Sequence, residues 1–151
     1  MNYLGYACIN MGFSSLPKKQ RITTNRSMIK RTFNERGVEY ASELALQNMR
    51  DLYTILEWNL EHDIYFYRLS SDMLPWASEY NIEELPNFGA IHAAALRAGN
   101  FARKHGMRLT SHPGPFNKLA SPKERVFQLT KTDLSVHGDL FDLIGLPRTP
   151  Y

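Results

Sequence analysis

Short, dense apolar runs alternate along the chain with longer stretches in which apolar side chains recur every three or four positions. The first pattern suits buried strands and the second suits amphipathic helices. Residues 2–9, NYLGYACI, read as a strand. Residues 11–36 read as a long polar connection with one helical turn near 28–32. A helix is predicted over 39–61, where Ala45, Met49, Leu52, Leu56 and Leu60 share one face. The aromatic and β-branched run 64–69, IYFYRL, is a second strand. Residues 70–87 are irregular, broken by Pro75 and Pro86. A further helix follows over 90–104, closed by His105-Gly106, and 107–111, MRLTS, is a third strand. The last helix is expected to be capped by Ser121, with Pro122 in its first turn and Glu124 completing a capping box. Gly145 and Pro147 end it. This order, β-α-β-α-β-α, predicts an α/β protein with parallel strands and right-handed helical crossovers. It corresponds to about the first three βα units of a TIM-type (β/α)8 barrel, which takes about 250 residues when complete. A fourth strand is expected to begin near Thr149-Pro150-Tyr151.

Composition narrows the class. With 43% hydrophobic and 22% charged residues, the 151-residue chain fits a globular protein. No apolar run reaches the length of a membrane span. Residues 1–16 lack the cationic head and apolar block of a signal peptide. The single cysteine, Cys8, excludes an internal disulfide and a multi-cysteine zinc site, and points to a reducing intracellular compartment, cytoplasmic or nuclear. Charge is unevenly spread. Up to Tyr40 there are seven basic residues against Glu35 and Glu39, so this stretch is +5 within a net charge of +3. Such a stretch can follow a phosphate backbone, although solvated lysines that only maintain solubility have the same signature. Lys18, Lys19, Arg21 and Arg26 are the candidate phosphate contacts.

In barrels of this kind, chemistry gathers at the C-terminal ends of the strands. Three segments qualify: 5–10, 68–72 and 111–117. The third is the most suggestive, because His112 directly follows a strand and imidazole is a common transition-metal ligand. Pro113-Gly114 then turns the chain and leaves Phe116 at a loop tip, where an aromatic ring can stack on an unstacked base. Each has a structural alternative: a hydrogen-bonded framework histidine, and a ring that packs the loop. His62 and His105 are explained by helix capping. His92 and His137 lie within helices and have no ligand spacing.

Together, LGYACIN at 4–10, TTNR at 23–26, LQNMRDLYTILEWN at 46–59, YRLSSDMLPWAS at 67–78, HPGPFNKLASP at 112–122 and LFDLIGLP at 140–147 resemble the UV-damage endonuclease family. The resemblance runs in order from end to end. It implies a metal-dependent barrel that nicks double-stranded DNA 5′ to UV photoproducts. It also implies a cluster of divalent ions, manganese or alternatively magnesium, which activates water for attack on the phosphodiester. His112 matches the family's first metal-binding histidine, and Tyr6 and Asn10 match residues lining the lesion pocket. Phe116 matches an aromatic wedge, with Gly114, Pro115 and Asn117 around it in the DNA-facing loop. The complete protein is expected to be a monomer without membrane contact.

Two positions depart from the family pattern. Pro115 stands where glutamine is usual, and Glu79 where histidine is common; Glu79 is then a second candidate metal ligand. The remaining family ligands lie beyond Tyr151. Residues 1–151 therefore read as the N-terminal portion of one endonuclease barrel and are expected to be inactive alone. A sugar isomerase or epimerase on the same architecture would explain His112 and the strand order, but not the basic stretch or the HPG-aromatic loop. A remnant that binds DNA without cleaving it is the non-enzymatic alternative.

Overall fold

Strands Gly5–Ala7 (β1), Phe66–Leu69 (β2) and Arg108–Ser111 (β3) lie parallel in the order β1-β2-β3 in the computed structural model, which describes residues 4–146. Gly5 pairs with Phe66, and Phe66 with Arg108, so side chains alternate in step across the sheet. Tyr67 and Leu69 point to one face and are buried against the helices. Their neighbour Arg68, with Gly5, Ala7 and Arg108, belongs to the other face and is exposed.

Among the described residues four α-helices connect and cover the strands: Met11–Ser14 (α1), Lys30–Glu61 (α2), Phe88–Lys104 (α3) and Glu124–Ile144 (α4). Of the predicted apolar face of α2, Ala45, Met49, Leu52 and Leu56 are at 0% exposure in the core, joined there by Ile55, while Leu60 is only partly buried against it. Each of the larger side chains contributes roughly 1.5–3 kcal/mol by leaving water. On α3, Ile91, Ala95, Ala98 and Ala102 pack into the same core, and α4 adds Leu140, Leu143 and Ile144. The backbones of α3 and α4 approach so closely at Gly99 that a β-carbon there would lie 1.8 Å from the Ile144 carbonyl oxygen. Arg103 donates from its guanidinium to the carbonyls of Ile144 and Gly145, tying α3 to the end of α4.

Several boundaries move from their sequence positions. The first strand is shorter than 2–9, because Cys8 adopts φ 60° and turns the chain out of the sheet; Asn2 and Tyr3 lie outside the described residues. The polar stretch 11–36 holds α1, a 3-10 turn at Lys18–Gln20 and the first turns of α2. Helix α2 begins nine residues before position 39 and is broken at Gly37, whose φ of 65° and ψ of −160° suit glycine. The expected Ser121 capping box does not form. Ser121 Oγ accepts from the Lys123 amide, and the Lys123 carbonyl accepts from the Val126 and Phe127 amides, so the helix starts at Glu124. Glu124 instead accepts from the Gln128 side chain one turn later. At the other end, Gly145 is left-handed with φ 70°, as a helix-ending glycine should be; Pro147 and the expected fourth strand lie outside the described residues. His62 and His105 are the C-caps of α2 and α3, with the His62 ring Nδ1 2.7 Å from the Trp58 carbonyl.

Candidate nucleic-acid interface

The C-terminal ends of the three strands bring Cys8, Asn10, Asp72 and His112 to one edge of the sheet. Parallel pairing sets this, since the backbone of Cys8 donates to the Arg68 carbonyl and that of His112 to the Leu69 carbonyl. The exposed His112 ring has Nδ1 3.7 Å from Cys8 Sγ. Burial pushes the Cys8 thiol above its ordinary pKa, and Asp72 adds to this while Arg68 opposes it. The Asp72 carboxyl is likewise raised by burial, against a hydrogen bond with Ser27.

Tyr6 and Asn10 meet directly. Asn10 Nδ2 donates to the Tyr6 hydroxyl at 2.9 Å, and that hydroxyl donates to Asn59 Oδ1 at 2.7 Å. Asn10 is 4% exposed, and its Oδ1 also caps α1 through the Phe13 amide. Burial raises the Tyr6 hydroxyl pKa, opposed by its bonds to Asn10 and Asn59. Next to it, Tyr67 donates to the Cys8 carbonyl at 2.9 Å, with Thr24 Oγ1 also 2.9 Å from its hydroxyl. The strained Cys8 turn is thus held from below by a buried phenol.

Beyond His112 the chain forms a tight turn over 114–117, where the Asn117 amide faces the Gly114 carbonyl at 3.4 Å. Pro115 occupies the second position of this turn, where its fixed φ is favourable. This gives the departure at Pro115 a physical role: it stiffens the turn that carries Phe116. The Phe116 ring is 85% exposed, the most exposed large hydrophobic side chain among the described residues. Asn117 is turned inward, its Nδ2 donating to the Gly114 carbonyl and to Asp133 on α4. An open groove of about 1160 Å³ runs between this loop, the 3-10 turn Ala77–Glu79 and α4. Phe116, Asn117, Glu79, Thr130 and Asp133 line it.

The two candidate metal ligands are therefore placed differently, His112 beside Cys8 and Glu79 along the groove. No group of three or more His, Cys, Asp or Glu side chains able to hold a metal ion occurs among the described residues. These residues do not make up a metal site on their own; His112 offers a single imidazole.

The four candidate phosphate contacts divide in two. Lys18, Lys19 and Arg21 are exposed on and beside the 3-10 turn. Arg26 is engaged internally: it bridges Asp51 at 2.6 Å and donates to the carbonyls of Thr23 and Arg21. Asn48, fully buried on the apolar face of α2, accepts from the Arg26 amide and donates to the carbonyls of Arg26 and Asp72. Trp76 Nε1 donates to the Met28 carbonyl while its ring stacks on Phe33. Sequence reasoning missed this bracket of Asn48, Asp51 and Trp76. The available signal was an asparagine within a helix stripe otherwise made of Ala45, Met49 and Leu52.

A parallel α/β sheet with its candidate residues at the strand C-terminal ends is the arrangement of α/β proteins that bind ligands at that edge. The family model for UV-endonuclease UvdE matches residues 2–151, and the chain belongs to that family. It is 35% identical over 143 residues to a UV-damage endonuclease of Schizosaccharomyces pombe, covering 95% of this chain and 23% of that protein. It is 33% identical over 149 residues to a putative UV-damage endonuclease of Acanthamoeba polyphaga mimivirus, covering 94% of this chain and 42% of the relative. The crystal structure of SacUVDE superimposes with a TM-score of 0.78 at 27% identity, over 95% of this chain and 46% of that one. The chain thus spans less than half the length of these relatives. No helix among the described residues is long and apolar enough to cross a membrane.

Proposed function

We propose that this chain is the lesion-facing portion of a DNA-repair endonuclease barrel that nicks double-stranded DNA 5′ to UV photoproducts. The observation that carries this reading is Phe116, an 85% exposed ring on a proline-stiffened turn four residues after His112. A phenyl ring 85% exposed at a loop tip buries little against its own protein, whereas a ring that stacks into a weakened base step gains contact on binding. UV lesions already weaken stacking, so the cost of unstacking is least there.

In this reading Lys18, Lys19 and Arg21 contact phosphates and fix the duplex without reading sequence. Arg26 shapes the segment that carries them. Tyr6 and Asn10 form the floor of the lesion pocket, and Gly114 and Pro115 hold the wedge. A divalent metal, manganese or magnesium, would supply activated water and stabilise the leaving oxygen. His112 is the described residue best placed to offer it a ligand, with Glu79 the second candidate. Because no three metal-ligating side chains come together among the described residues, the 151 residues alone should bind lesions without cutting.

Fluorescence anisotropy with a duplex carrying one cyclobutane thymine dimer, against its undamaged twin, tests the proposal. The chain should prefer the damaged duplex, and Phe116→Ala should remove stacking of about 1–3 kcal/mol, most of it from the damaged complex. Equal affinity of the unmodified chain for both duplexes would overturn the lesion-binding reading.

A further inference from the structure

The groove beside Phe116 contains side chains that the DNA-facing role does not use. Thr130 is 2% exposed, and its Oγ1 accepts the Lys118 backbone amide at 2.9 Å. One turn further along α4, Asp133 accepts from Asn117 Nδ2. One more turn on, His137 is 6% exposed, with Nε2 3.9 Å from the same Asp133 oxygen atom. The positions 130, 133 and 137 fall on one face of α4, the i, i+3, i+4 neighbours of a helix. Two consecutive loop residues, Asn117 and Lys118, are thus held by two consecutive turns of the helix, immediately after the exposed ring.

We infer that Thr130 and Asp133 of α4 are positioning residues that latch the 114–118 turn and so aim Phe116 at the duplex. This rests on the proposed stacking role of Phe116 and adds to it the device that sets the ring's direction. A loop tip gains most from stacking when its ring is already aimed, because ordering it on binding would offset part of that free energy. Pro115 fixes the near side of the turn through its φ, and the bonds to α4 fix the far side. Between them lies only Phe116. Asp133 touches neither base nor metal in this scheme; it acts through Asn117. Asn117 is accordingly assigned to the loop's own architecture and not to the DNA.

A double-mutant cycle on the 151-residue chain tests this, with the thymine-dimer duplex and its undamaged twin as probes. Asp133→Ala and Thr130→Val should each narrow the damaged-over-undamaged preference towards that of Phe116→Ala. In the Phe116→Ala background the same changes should have no further effect. Asp133→Asn and Thr130→Ser keep an acceptor oxygen and should restore most of the preference. Hydrogen exchange at the Lys118 amide gives a readout without DNA, and should speed up in Thr130→Val and not in Thr130→Ser. Circular dichroism melts identify any variant that fails to fold, in which case the conservative partner carries the comparison. If Phe116→Ala changes the preference while Asp133→Ala and Thr130→Val leave it intact, or reduce it additively, the latch is wrong and the wedge stands. If Phe116→Ala itself has no effect, the wedge reading fails first.

Discussion

Single residues in this protein do sharply different work even within one charged stretch. Lys18, Lys19 and Arg21 are exposed, whereas Arg26 is locked against Asp51 and two backbone carbonyls. Neutralising the three exposed cations should weaken binding to every duplex and flatten the salt dependence, by about 0.9 in log–log slope for each lost phosphate contact. A salt titration of anisotropy measures this, and an unchanged slope would assign the three to solubility. Arg26→Ala should behave differently, lowering stability more than it lowers the slope. His137 is the second residue with a distinct signature. Burial depresses its pKa below 6.5, as does His112, while Asp133 opposes them. Its contribution is therefore fully present above the unfolded pKa and is lost as pH falls through the lower folded one. Urea midpoints should hold above about pH 7 and fall on acidification below about 6.5, the ordinary histidine value. His137→Met should remove that part of the slope. Asp72, raised by burial, slopes the opposite way, but only in the carboxylate range.

At the level of elements, the helices and strands were legible because their periodicity was strong, and their ends were not. The apolar stripe of α2 gave the core face correctly, but its start at Lys30 was hidden by the polar first turns and by Gly37, which breaks the geometry without ending the helix. Strand β1 ends at Ala7 because the next residue, Cys8, has a positive φ on a non-glycine residue, held by Tyr67 from the next strand, which no local pattern reveals. Ser121, Pro122 and Glu124 matched a capping signature, yet Ser121 bonds two residues ahead and leaves Lys123 as the cap. The placement of His112 directly after a strand and of Phe116 at an exposed loop tip was legible, because strand ends and turn residues are local signals. Contacts were illegible where the partner lies far along the chain, as with Asn117 and Asp133 or Asn48 and Asp72. Helix packing offers a direct contrast. Gly99→Ala places a methyl group against the Ile144 carbonyl and should destabilise by about 1–3 kcal/mol through overpacking. Gly138→Ala, in α4 with no atom within 4 Å of the added carbon, should stabilise by roughly 0.5–1 kcal/mol. Urea denaturation of the pair checks both signs, and similar shifts in the same direction would contradict the close approach of α3 and α4.

For the molecule as a whole, the decisive feature is a sheet covered on one face. Tyr67 and Leu69 are buried under the helices, while Arg68 and Arg108 stand exposed on the opposite face among the described residues. Parallel sheets are ordinarily covered on both faces, and in the proposed barrel this face would be turned to the interior. No three metal-ligating side chains come together among the described residues. The proposed function accordingly treats lesion binding and strand cleavage as separable, with Phe116, its contacts to α4 and the exposed cations assigned to the first. The most direct test uses the purified 151-residue chain, UV-irradiated supercoiled plasmid and manganese, scored for nicked circles. Nicking should be no greater than in the protein-free control. Metal-dependent nicking of the irradiated plasmid that disappears in His112→Ala would contradict this.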